Sequence, residues 1–288
     1  MDLKRELEIA KRAAFIAGEK ILEVYKSGNF QVEFKEKGSP VGLADRLSNV
    51  EICKILHKEF PDYGIISEEK VEEKVLEEIP TLSNVLGKMG NFKFSWIIDP
   101  LDGTKYFIER KDTFGIHIGL VHKGKAVLGI NYYPLKKIVY FAIKGKGSYL
   151  QKGKRGVKRI CTSKIADLSK FKIVTDKKIP FYLKELIKEK KLPRPFRING
   201  TGIKICKIAE GIADLYTCLE QKTTSGVCIW DICSCSIILE EAGGKITDLY
   251  GEPINFFQEH PELRRGAIAS NGRISHKEIS IFIENYVI

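Results

Sequence analysis

The 288-residue sequence predicts an α+β fold, and three observations predict it. Apolar residues recur at helical spacing near both ends of the chain. Alternating, β-branched segments broken by glycine turns fill residues 114–160. Acidic residues stand where two short apolar strands stop, at Glu68-Glu69 and at Asp99.

Leu3, Leu7, Ala10, Ala14, Ala17 and Ile21 share one helical face, so an opening helix reaches about Tyr25 and ends at Gly28-Asn29. Residues 31–35 alternate like a strand, and Gly38-Ser39-Pro40 is a turn. A second helix follows, with Leu47, Ile52, Ile55, Leu56 and Phe60 apolar and Asp45 in or near its first turn. Pro61-Asp62-Tyr63-Gly64 breaks it. Ile65-Ile66 is a short buried strand that delivers Glu68-Glu69, and the charged residues 70–78 read as an exposed helix. Residues 94–98 form the clearest central strand, ending on Asp99-Pro100. Beyond the antiparallel region come a strand near 171–174, a helix near 181–189 and another near 203–210. A further helix starts at Asp231, a strand lies near 245–247, and a last helix starts near His276. The seam between an N-terminal half, 1–150, and a C-terminal half, 151–288, falls in 145–165.

Composition narrows the function. With 43% hydrophobic and 30% charged residues the chain is an ordinary globular protein. No stretch is long enough to span a bilayer and no apolar signal core opens the chain, so a cytoplasmic address and no membrane partner are expected. The seven cysteines, an odd count in a chain too long to need disulfide staples, sit mostly among Ile, Leu and Val and read as buried thiols in a reducing compartment, and Cys228, Cys233 and Cys235 fit no zinc spacing. A net charge of +11 admits a nucleic-acid-binding reading. No helix-turn-helix, zinc finger or aromatic RNA-binding pattern accompanies it, so no nucleic-acid partner is expected.

The chemistry lies in Asp99-Pro100-Leu101-Asp102-Gly103-Thr104. Hydrolysing a phosphate monoester needs an activated water and shielding of the phosphate oxygens, and a pair of Mg²⁺ ions about 4 Å apart supplies both. Mg²⁺ takes oxygen ligands, so carboxylates and a carbonyl must converge. Asp99 can bridge two ions, the Leu101 carbonyl can bind one, and Asp102 the other. Gly103-Thr104 opens a short helix or turn whose N–H groups can cradle phosphate, and the Thr104 hydroxyl can orient the attacking water. Glu68-Glu69 and Asp231 are further carboxylate sources. Taken singly, each also reads as a turn, a helix cap or a solvated loop.

Residues 96–104, Trp-Ile-Ile-Asp-Pro-Leu-Asp-Gly-Thr, resemble the first signature of the inositol monophosphatase superfamily. Trp230-Asp231 with Gly243-Gly244 resembles the second, and Ile66-Ser67-Glu68-Glu69 and the segment from Ser39 to Asp45 match its upstream elements. The resemblance covers roughly residues 5–275. It implies a layered αβαβα sandwich and a lithium-sensitive phosphatase using two or three Mg²⁺ ions. Glu68, Asp99 and the Leu101 carbonyl would hold one ion; Asp99, Asp102 and Asp231 would hold the second; Glu69 is a possible additional ligand. Thr104, with Glu68 or Asp45, would polarise the water.

Within the superfamily, residues 103–108 resemble the 3′(2′),5′-bisphosphate nucleotidase form, as do Gly200-Thr201-Gly202-Ile203-Lys204 and Asp231-Ile232-Cys233. Thr224 stands where inositol enzymes carry Glu. Gly42, where the family often has Thr, and Cys235 depart from the pattern. The expected substrate is 3′-phosphoadenosine 5′-phosphate, bound by Gly103, Thr104, Lys105, Gly202 and Lys204; Lys105, Lys204 and Arg197 also read as surface charges. Inositol 1-phosphate and fructose 1,6-bisphosphate are the alternatives. The resemblance implies a monomer or a homodimer.

Overall fold

A computed structural model describes residues 1–35, 40–88, 90–175, 179, 181–218, 227–258, 260–263 and 266–287. The expected turn at Gly38-Ser39 and the expectation at Thr224 lie outside the described residues.

Helix α1 (Lys4–Ser27) buries Ala10, Ala14, Ala17 and Ile21, the predicted stripe, and stops at Gly28 with φ 75°. Strands β1 (Glu33–Phe34) and β2 (Pro40–Val41) form a small ribbon ahead of α2 (Leu43–Glu59). Then come β3 (Gly64–Ser67), α3 (Glu73–Glu78), β4 (Phe94–Asp102) and α4 (Thr104–Ile108). Five hairpin-linked strands follow: β5 (Gly115–His122), β6 (Lys125–Tyr133), β7 (Ile138–Ile143), β8 (Gly147–Lys152) and β9 (Lys158–Ile160). The C-terminal part holds β10 (Val174–Thr175), α5 (Phe181–Glu189), β11 (Phe196–Arg197), α6 (Thr201–Ala209) and β12 (Leu215–Cys218). It closes with α7 (Ile229–Glu241), β13 (Lys245–Thr247), β14 (Ala267–Ser270) and α8 (His276–Val287).

Strands β3 to β9 lie in chain order in one seven-stranded sheet, parallel at β3–β4 and antiparallel thereafter. One face packs on α1 and α2 through Trp96, Ile98, Ile118, Leu128 and Ile130. The other packs on α6 and α7 through Ile97, Val121, Tyr133 and Ala142. A three-stranded sheet, β12-β14-β13, lies beyond those helices, and a third core around Phe171, Leu183, Leu215 and Ile268 joins it to α5 and α8. The layers read αβαβα, as expected.

Several boundaries differ from the sequence reading. Strand β4 runs through Pro100 to Asp102 instead of ending at Asp99, because a register shift between Asp99 and Asp102 accommodates the missing proline N–H. Helix α7 begins two residues before Asp231. The predicted helix over 70–78 contracts to α3, and the strand over 31–35 to β1. Strands β12 and β14 were not predicted; small residues such as Ala267, Ala269 and Ser270 give β14 no apolar rhythm to read. Cys53, Cys206, Cys233 and Cys235 are buried free thiols as expected, whereas Cys161 is exposed. Among the described residues no helix is long and apolar enough to cross a membrane.

Candidate active site

Strand alternation fixes where the acids go. Trp96 and Ile98 face the first core and Ile97 the second, so Asp99, two residues beyond Ile97, emerges on the α6/α7 face. Cross-strand register extends that position into a row: Asp99 opposite His117, His117 opposite Asn131, Asn131 opposite Tyr140. Directly opposed residues share a face, so four strands present a polar row toward α6. Asp99 is 1% exposed, Asp102 7%, and His117 and Asn131 are fully buried.

Two helix starts deliver two more carboxylates. On α2, Asp45 reaches back so that Oδ2 accepts the Gly42 N–H at 2.8 Å, the reciprocal half of a capping box. Its Oδ1 accepts from Thr104 Oγ1 at 2.7 Å, and Leu101 O is that hydroxyl's longer acceptor at 3.1 Å. On α7, Asp231 repeats the device, Oδ2 accepting from Cys228 N at 2.5 Å. Helix α7 comes this close to the sheet because β6 carries Gly129, where an added Cβ would lie 2.1 Å from the Ser234 carbonyl oxygen.

Glu68 and Glu69 follow β3, and Lys35 bridges them, with Nζ 2.7 Å from Glu68 Oε1 and 2.5 Å from Glu69 Oε1. Burial opposes the Lys35 charge, but the two carboxylates outweigh it and raise its pKa. The loop's backbone is fixed by Asn49, whose Nδ2 donates to Glu69 O at 3.0 Å and whose Oδ1 accepts from Ser67 Oγ at 2.7 Å.

Electrostatically the acids crowd one another, with Lys35 offsetting Glu68 and Glu69. Burial, then the charges of Glu68, Asp102 and Asp231, pushes the Asp99 carboxyl well above the ordinary range. Asp231 moves the same way through burial, Glu68 and Asp102. Burial also lifts Asp45, to about 7, against the lowering effect of its bonds from Thr104 and Gly42. Burial alone drops His117 to about 3, so its imidazole is neutral. Among the described residues, Asp99, Asp102 and His117 bring one donor atom each within 4.8 Å of one another. These mutually repelling buried oxygens fit a divalent cation, which would lower the cost of ionising all of them.

The predicted residues thus fall into two sets. Asp45, Asp99, Leu101, Asp102 and Thr104 meet around the end of β4, with Glu68 and Asp231 near enough for their charges to act there. Gly103, at φ 84°, turns the chain into α4, and Lys105 is exposed on that helix. Arg197 is exposed as well, whereas Lys204 is not a surface charge. It is 1% exposed on α6, its Nζ 4.5 Å from the Tyr216 ring centroid. Gly202 is buried against the polar row, where an added Cβ would lie 2.2 Å from His117 Cε1 and 2.8 Å from Asn131 Nδ2. Sequence reasoning missed Lys35, His117 and Asn131. A polar residue at an inward position of β5 and of β6, among Ile, Val and Gly, was the available signal.

The order of layers and the gathering of acids at the end of β4 place the chain among metal-dependent phosphatases. It belongs to the inositol monophosphatase family, whose sequence profile matches residues 2–284. The 3′(2′),5′-bisphosphate nucleotidase CysQ of Salmonella typhimurium is 28% identical over 90% of this chain and 97% of that protein. A fructose-1,6-bisphosphatase/inositol-1-monophosphatase of Aquifex aeolicus is 31% identical over 88% of each. Among solved structures, CysQ of Bacteroides thetaiotaomicron covers 94% of this chain and 98% of its own, with 29% identity and a TM-score of 0.71. An IMPase of Thermotoga maritima covers 98% of this chain and 97% of its own, at 25% identity and a TM-score of 0.75.

Proposed function

We propose that this phosphatase hydrolyses a small bisphosphorylated nucleoside, 3′-phosphoadenosine 5′-phosphate, with two or three Mg²⁺ ions bound by Glu68, Asp99, the Leu101 carbonyl, Asp102 and Asp231, and Glu69 as a possible further ligand. The observation that carries the chemistry is the buried Asp99–Asp102 pair beside the Thr104–Asp45 hydrogen bond of 2.7 Å. Mg²⁺, when bound, makes a water nucleophilic near neutral pH and shields the phosphate oxygens. The chain's own contribution is positioning and proton handling. Thr104 keeps its proton and donates it in a hydrogen bond to Asp45 Oδ1, which leaves the hydroxyl oxygen's lone pairs to orient the attacking water. With its carboxyl lifted by burial to about 7, Asp45 can take up a proton near neutral pH. In this reading residues 1–150 supply most ligands and residues 151–288 supply Asp231 and the residues that choose the substrate.

The substrate class rests on residues 103–108, on the Asp231-Ile232-Cys233 form, and on CysQ relatives that align along nearly their full length. Lys105, exposed one residue beyond Thr104, is the cation suited to a second phosphate. Gly103 would meet the substrate through the turn it makes into α4, and Gly202 through the close seating of α6 on the polar row that its missing side chain permits. Lys204, buried on α6 with its Nζ over the Tyr216 ring, is the other lysine of the substrate set. The purified enzyme, tested with Mg²⁺, is expected to turn over the bisphosphate nucleotide faster than inositol 1-phosphate or fructose 1,6-bisphosphate. The reverse order would replace this reading by the one that the Aquifex aeolicus relative favours. Lithium is expected to inhibit, and an insensitive enzyme would place the chain off this branch.

A further inference from the structure

His117 belongs to no motif that assigns the site, yet it lies fully buried beside Asp99 and Asp102. It is 0% exposed, and among the described residues neither ring nitrogen has a hydrogen-bond partner. A buried imidazole left so has lost its hydration without a replacement, which an ion or water must offset. Its nitrogens point at carboxylates: Nδ1 lies 4.0 Å from Asp99 Oδ2, and Nε2 3.6 Å from Asp102 Oδ2. Both separations are too long for a hydrogen bond. An imidazole gives one nitrogen to a given ion, and one ring nitrogen, one Asp99 oxygen and one Asp102 oxygen lie within 4.8 Å of one another, a spacing that donors around a common ion can take.

The ring is also held in place. The α6 backbone presses on it at Gly202, where a single added carbon would collide with Cε1 and Nε2 at 2.2 and 2.4 Å. On its other flanks stand Asn131, its cross-strand partner, and Tyr133, whose ring centroid is 6.3 Å away. Neither brings a charge, so the two aspartates are the anions facing the ring.

We propose that His117 is a nitrogen ligand to a divalent ion held together with Asp99 and Asp102, giving that position a mixed nitrogen–oxygen ligand set that favours first-row transition ions over Mg²⁺. The inference rests on the metal reading given above and adds to it a donor outside the all-oxygen set. Mg²⁺ takes oxygen and keeps its waters, whereas an imidazole shifts preference toward Mn²⁺, Fe²⁺ and Zn²⁺. One of the ions at this site is then a transition ion whenever such ions are present.

The test uses the full chain, stripped of metal and loaded with substoichiometric Mn²⁺, read by electron spin-echo envelope modulation. Nitrogen modulation is expected, and it should change to the ¹⁵N pattern when the protein is made with ¹⁵N-histidine. His117→Ser should abolish the modulation and weaken Mn²⁺ binding on the order of 10-fold or more, with Mg²⁺ affinity much less affected. Mn²⁺ bound without nitrogen modulation, or modulation that survives His117→Ser, overturns the assignment while leaving the carboxylate site standing. Failure of Mn²⁺ to bind at all overturns the metal reading, and this inference with it. If the variant does not fold, the labelled wild-type protein still decides.

Discussion

The starts of α2 and α7 face the site from opposite sides of the same sheet, and they use one local device for two purposes. Each places an aspartate at the third helical position, and each carboxylate accepts the N–H of the residue before the helix. They differ in the second oxygen. That of Asp45 is taken by Thr104, so this carboxylate is tied to a hydroxyl. Asp231 is raised well above the ordinary range, by burial first and then by the charges of Glu68 and Asp102. Asp45 is raised by burial and, less, by Glu69 and Glu68, against the lowering bonds from Thr104 and Gly42. In the proposed mechanism one capping aspartate serves as a proton acceptor and the other as a cation ligand, and the partner of the second oxygen is what separates them.

The sharpest way to break that comparison is to neutralise each acid. Asp231→Asn keeps an oxygen for the cap, so the fold should persist while Mg²⁺-dependent turnover falls roughly 100-fold or more. Near-normal turnover would remove Asp231 from the metal ligands. Asp99→Asn is expected to behave alike, both variants also losing metal affinity in calorimetry. Next in size, Thr104→Val should lower kcat by about 10-fold or more with little change in metal affinity, because it deletes the hydroxyl and spares the carboxylates. Thr104→Ser should recover most of the loss; if it does not, Thr104 acts by packing alone.

The metal-free protein sharpens the electrostatic half. A carboxyl whose folded pKa is raised binds protons more tightly in the native state. Its stabilising contribution is complete below the ordinary Asp value of 3.8 and disappears as pH rises through about 7, for Asp45. That shift corresponds to on the order of 4 kcal/mol, and Asp99 and Asp231 act in the same direction. Melting in EDTA should therefore show stability falling between about pH 4 and 7, and Mg²⁺ should flatten the profile. An unchanged melting temperature across that window would count against the raised carboxyls. Smallest of all, Lys35→Ala removes the ammonium that bridges Glu68 and Glu69 and should tighten metal binding by about threefold. Weaker binding would mean that Lys35 holds the loop in place for the ion.

Much of this was legible because local rules and global packing agree. The stripe on α1 and the alternation of β5 to β7 follow from a single periodicity each, and Asp99-Pro100-Leu101-Asp102 names its chemistry outright. Asp45 and Asp231 were legible as acids in or near first turns, but not as matched caps, since that needs the backbone N–H of Gly42 and of Cys228 in place. His117 and Asn131 stayed hidden for a different reason. Their meaning comes from register across β4, β5 and β6, which no single segment encodes. Strand β14, Ala-Ile-Ala-Ser, was lost because pairing with β12 and β13, not intrinsic preference, makes it a strand.

The contact at Gly129 sets a dimension that side chains elsewhere cannot retune. Where α7 rides over β6, bare main chain touches bare main chain, so the helix that carries Asp231 stands off the floor carrying Asp99 by the least thickness two polypeptides allow. The gauge between those two acids is in effect machined by a missing methyl group. Side chains lining the cleft are free to vary and so to change what is bound, while that spacing stays constant.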